Sequence, residues 1–88
     1  MKYKEWVGDE KLVYELLDKA GLDGNNDGGE KKMLMREIII CRYLKYMRVD
    51  EICARIMFTY RIELDKSKYY RIFNCAIKLI EKHIKFET

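Results

Sequence analysis

Few side chains in this sequence are of a type that could make or break a bond: one histidine, His83, one serine, Ser67, and three cysteines, Cys41, Cys53 and Cys75. A nucleophile triad needs a Ser, Cys or Thr beside a histidine that a third group orients. Ser67 and His83 are sixteen residues apart in one helical stretch, a separation of about 24 Å at 1.5 Å per residue, far beyond hydrogen-bond reach. A Cys–His pairing has no accompanying signature, so an enzyme is not expected. His83, between Lys82 and Lys85, reads as a partly exposed helix residue.

Metal chemistry is no better supported. A Cys₃His zinc site usually contains a C-x₂₋₄-C pair that aims two thiolates at the ion, and the cysteine spacings here are 12 and 22. Residues 23–28, Asp-Gly-Asn-Asn-Asp-Gly, match the first half of a calcium loop, D-x-N-x-D-G. The second half fails, because Lys31 stands at the ninth position and Leu34 where a bidentate glutamate should close the shell. A polar linker is the better account, and neither metal nor cofactor is expected.

The residues best suited to a chemical task are binding residues. Lys66, Ser67, Lys68, Tyr70, Arg71 and Asn74 combine cations, hydroxyls and an amide within nine positions. If Tyr69 and Phe73 point inward, those six lie on the opposite side of a helix. Arg71 would then suit guanine and Asn74 adenine, while the lysines and Tyr70 would suit phosphate oxygens. The plain alternative is a solvated basic face with an aromatic edge, with Tyr70 and Arg71 pairing to the acidic first helix.

Such a set needs elements to hold it. The chain has no proline and five glycines in 88 residues, four of them between Gly21 and Gly29, which is too little punctuation for many short strands. The pattern predicts an all-α fold of about four helices. Gly8-Asp9 can cap a first helix carrying Leu12, Val13, Leu16, Leu17 and Ala20, with Gly21 just past its end. A second helix runs from about Glu30 to about Met47, with Leu34, Ile38, Cys41 and Lys45 on one stripe and Met33, Ile40, Leu44 and Met47 beside it. Asp50 is a suitable N-cap for a third helix. Its stripe reads Cys53, Met57, Tyr60 and Leu64, yet Phe58, Tyr60, Ile62 and Leu64 also alternate as a half-buried strand would. The stretch 58–64 is therefore open between helix, turn and wing. Asp65 caps a last helix, Lys66 to about Lys85, with the seam Tyr69, Phe73, Ala76, Ile80 and Ile84, widened by Ile72, Ile77 and Leu79. That helix must pack on the first one or on a second copy of the chain, which keeps a homodimer open.

Charge divides the chain at the same place as glycine does. Residues 1–30 hold four Lys against eight acids, and residues 31–88 hold fourteen Lys+Arg against seven. An acidic N-terminal helix with a Gly/Asn-rich linker (1–29) thus precedes a basic body (30–88), and the body's sign favours a polyanion. With 49% hydrophobic residues, one domain can bury a modest core. The longest apolar run, Ile38 to Cys41, is too short to span a membrane, and no signal segment opens the chain. Three cysteines in apolar helical contexts suit reduced thiols, so a cytoplasmic protein without disulfides or membrane contact is expected.

The layout of a central helix, a short capped helix and a last helix opening Ser67-Lys68-Tyr69-Tyr70-Arg71 is that of a helix-turn-helix. From Arg36 to Lys82, through IIICRYL, DEICARI and SKYYRIFNCAIKLIEK, the chain resembles the sigma-factor region-four type, and within it the autolysin-regulator (ArpU-like) phage transcriptional regulators. In that family a helix ending near Arg-Tyr-Leu precedes a short helix, then Ser-x-Tyr-Tyr-Arg and an Ala one turn later, the most specific part of the resemblance. Arg42-Tyr43-Leu44, Ser67, Tyr69, Tyr70, Arg71 and Ala76 take those places, and the resemblance covers roughly half the chain. It departs in the connection Phe58 to Leu64, about five residues longer than the family's tight turn. A lengthened connection would act as a wing through Tyr60 and Arg61, or mark a fold reused for binding protein. The resemblance implies a DNA-binding transcriptional regulator of phage or mobile-element type, reading duplex DNA with the helix that starts near Lys66. Two other readings stand beside it: a module that captures a host or phage protein, and a DNA-packaging or replication accessory subunit.

Overall fold

The computed structural model describes residues 8–22 and 29–85; the calcium-like segment 23–28 lies outside them. Four helices, α1 (Glu10–Lys19), α2 (Gly29–Tyr43), α3 (Val49–Tyr60) and α4 (Lys66–Lys85), follow in order, and no strand occurs among the described residues. The protein is all-α.

Both ends of α1 are set by local chemistry. The Asp9 carboxylate accepts the Leu12 N–H at 3.0 Å, satisfying one orphan donor of the first turn. At the other end Gly21 adopts φ +78°, which suits a residue without Cβ. The Gly21 N–H then donates to Asp18 and the Leu22 N–H to Leu17, the paired bonds of a Schellman motif. Leu17 and Leu22 are both buried there. Arg36 on α2 donates to the Leu22 carbonyl at 2.8 Å with its guanidinium 5.5 Å from the Tyr14 ring centre, so one residue ties the end of α1 to α2.

α2 stops at Tyr43, four residues short of the expected Met47. Leu44 and Lys45 N–H groups both turn back to the Ile40 carbonyl, and Met47 N–H reaches Cys41. Tyr46 becomes left-handed at φ 55°. The Gly8 N–H supplies a further partner, donating to the Tyr43 carbonyl at 2.9 Å. The last carbonyls are thus satisfied without any glycine or proline at the stop.

α3 corrects two expectations. It begins at Val49, so Asp50 lies inside the first turn and Arg48 holds the cap position; the acceptor is Glu51, whose Oε1 takes the Arg48 N–H at 3.0 Å. Ile52 and Ile56 are fully buried, whereas Met57 of the expected stripe is 47% exposed. Cys53 and Tyr60 of that stripe are half-buried against the core, and the helix ends at Tyr60, where Arg61 turns left-handed (φ 60°), so Leu64 is not on it. Residues 61–65 run without regular structure and drop Leu64 into the core. The stretch 58–64 is therefore helix, then turn, and not a strand.

α4 matches its expected bounds. The Asp65 carboxylate accepts the Lys68 N–H at 2.7 Å and its carbonyl accepts the Tyr69 N–H. Val13, Leu17, Leu34, Ile38, Ile39, Ile52, Ile56, Tyr69, Ala76 and Ile80 meet in one core to which every helix contributes. α4 packs on α1, α2 and α3 alike.

Candidate nucleic-acid interface

The rotation of α4 about its own axis decides what it presents, and aromatic packing sets that rotation. Tyr69 is buried and lies nearly parallel to Phe73, ring centres 6.0 Å apart; Phe73, half-buried, stacks in turn on Tyr43 of α2 at 6.3 Å. Ile72, Ala76 and Ile80 complete the inward face. With that face fixed, Lys66, Ser67, Lys68, Tyr70, Arg71 and Asn74 are all exposed. Ser67, Arg71 and Asn74 recur at i, i+4 and i+7, and the same stripe continues through exposed Lys78 and Lys82. Neither lysine was among the expected site residues, although their helical spacing from Arg71 was readable.

The six side chains are not equivalent. The Lys66 ammonium lies 3.6 Å from the Asp50 carboxylate, both about three-quarters exposed, a pair worth at most about 1 kcal/mol that a phosphate can replace at little cost. Tyr70 sets its ring edge-on to Tyr69 at 5.1 Å, leaving it half in solvent. Lys68 spends its backbone N–H on Asp65, so only its ammonium is available to a ligand. The first turn of α4 carries Lys66 and Lys68 and no acid. Cations at the positive end of a helix dipole are unfavourable by about 0.3–1 kcal/mol each, and here the Asp65 carboxylate at the cap and Asp50 beside Lys66 offset them.

Beside this turn, α2 and α4 enclose a cleft of about 330 Å³ lined by Glu30, Lys31, Leu34, Lys68, Arg71 and Ile72. Leu34 and Ile72 are buried, and the four charged residues are exposed, three of them cationic. The basic surface therefore extends from α4 onto the start of α2. Lys31 was missed by sequence reasoning because only tertiary packing brings residues 31 and 68 to one cleft.

Tyr60, the last residue of α3, is held against α2 and does not stand out as part of a wing. Tyr60 donates its hydroxyl to Glu37 Oε2 at 3.2 Å, and Arg55 Nε donates to Glu37 Oε1 at 3.1 Å, so both ends of that carboxylate bolt α3 to α2. Burial, with the Glu37 charge beside it, holds the Tyr60 phenol above its ordinary pKa. Arg61 stays exposed. Burial likewise pushes the Cys41 and Cys53 thiols up, away from the thiolate that reacts or binds metal. The cysteines are unpaired thiols, and no cluster able to hold a metal ion occurs among the described residues. No described helix is long and apolar enough to cross a membrane. No family model, curated protein or solved structure matches the chain.

Proposed function

We propose that this protein binds duplex DNA as a small transcriptional regulator, with the first half of α4 entering the major groove. One observation carries the reading: Ser67, Arg71, Asn74, Lys78 and Lys82 form an exposed stripe, while the Tyr69 and Phe73 rings on the other side hold the helix in that orientation. Arg71 and Asn74 are the base-reading residues, since a guanidinium fork fits guanine and a carboxamide fits adenine. Lys66, Lys68, Tyr70 and Lys31 hold the backbone. The Asp50 to Lys66 pair also brings the start of α3 beside the start of α4, the neighbourhood a helix-turn-helix uses to straddle one strand. Resemblance to the phage regulators over residues 36–82 supports the same assignment, as do the reduced thiols for a cytoplasmic setting.

Anisotropy of a labelled random duplex, titrated at several salt concentrations with wild type and Arg71→Ala, tests this. Log affinity should fall linearly with log salt, and the variant, one cation poorer, should bind the random duplex more weakly with a slope shallower by about 1. The guanine contact, about 1–3 kcal/mol, is read on a selected site. No binding at low salt would overturn the reading.

A further inference from the structure

The outer face of α3 does none of this work. Phe58 is 82% exposed and Met57 47% exposed, on a helix whose other face supplies Ile52 and Ile56 to the core. Glu51, Ala54 and Phe58 are all exposed and follow one another at i, i+3 and i+7 along a single outward stripe of α3, and exposed Arg61 stands just past the helix end, where the backbone has turned left-handed. Read from one end, the four run acid, small, large, base.

We propose that this stripe is the contact through which two copies of the chain pair, α3 lying antiparallel on α3 about a twofold axis. An isologous contact requires that each residue find its complement on the same surface. This stripe is its own complement when reversed: Glu51 meets the partner's Arg61, and Ala54 meets the partner's Phe58. Each contact occurs twice. The small side chain leaves room for the large one, and each acid faces a base at the rim. Antiparallel helices also set opposite dipole ends together. Glu51 keeps an oxygen for the contact, because only Oε1 accepts the Arg48 N–H. A parallel pairing would put Glu51 on Glu51 and Arg61 on Arg61, and it is disfavoured for that reason. α3 has 12 residues, so it is about 18 Å long, and a contact of that length belongs to the reversible class of interface. The pairing does not rest on the DNA reading.

Sedimentation equilibrium from micromolar to about 1 mM tests it, with helix content followed by circular dichroism. The wild type should rise from 10.7 kDa toward twice that mass. Glu51→Arg alone and Arg61→Glu alone should each self-associate at least about tenfold more weakly, because each sets like charges opposite each other. Mixed in equal amounts, the two variants should dimerise again, since each then offers the charge that the other lacks. Restoration in the mixture also excludes loss of folding as the cause of the single-variant effects. A wild type that stays monomeric at 1 mM, single variants that associate unchanged, or a mixture that stays monomeric would overturn the proposal.

Discussion

The Tyr69 hydroxyl is buried without a hydrogen-bond partner. The ring belongs there, at the centre of the aromatic stack that orients α4; the oxygen gains nothing from the position. A buried unsatisfied hydroxyl costs about 1–3 kcal/mol, so Tyr69→Phe should stabilise the fold by about 1 kcal/mol in urea unfolding at neutral pH. The same burial pushes the phenol up to about 12. The unfolded phenol ionises near pH 10, so between about pH 10 and 12 the unfolded chain sheds a proton that the folded one retains. Stability due to this group is complete below pH 10 and is lost as pH rises, by about 2 kcal/mol across that window. Wild type minus Tyr69→Phe, measured from pH 8 to 12, isolates that loss from the alkaline titration of Cys41 and Cys53. An alkaline decline of equal depth in both proteins would show that Tyr69 is not its source.

Helix beginnings and ends differ in how far the sequence reveals them. Asp9 and Asp65 were readable as caps because a short carboxylate just before an apolar-periodic stretch has one good use, and each accepts an N–H three residues on. The cap of α3 was misread because the acceptor comes from inside the helix, Glu51 reaching back to Arg48. The ends of α2 and α3 were harder still, since they turn at Tyr46 and Arg61, residues that no rule of composition associates with a left-handed backbone. A Cβ at φ 60° is strained and a glycine is not, so Arg61→Gly should stabilise the protein by about 0.5–1 kcal/mol. Thermal unfolding at low micromolar concentration, where self-association does not contribute, should show a higher Tm; a lower one would mean that the Arg61 side chain contributes more than its backbone costs.

At the scale of the molecule, the acidic head and basic body distinguished by charge share one core. Val13, Leu16 and Leu17 of α1 are as buried as Ile38 and Ile39 of α2, and α1 packs directly on α4. Leu17→Ala should therefore destabilise the whole protein by about 2–4 kcal/mol in a single transition, seen alike by circular dichroism and tyrosine fluorescence. Two separated transitions would mean that α1 is an independent appendage. The outward stripe of α4 was legible from helical period alone, whereas the cleft with Lys31 was not, because it forms only where the start of α2 meets the start of α4.

One feature of this architecture bears on how the protein is made. α4 follows the other described helices along the chain, and it and α2 each touch all three of the others. Until α4 is made, α1 and α3 can pack on α2, but the faces of all three that α4 covers stay open. At roughly 5–20 residues per second the chain spends on the order of a few seconds in that state while α4 is added. The core therefore closes in two steps, α1 and α3 on α2 first and α4 over all three afterwards.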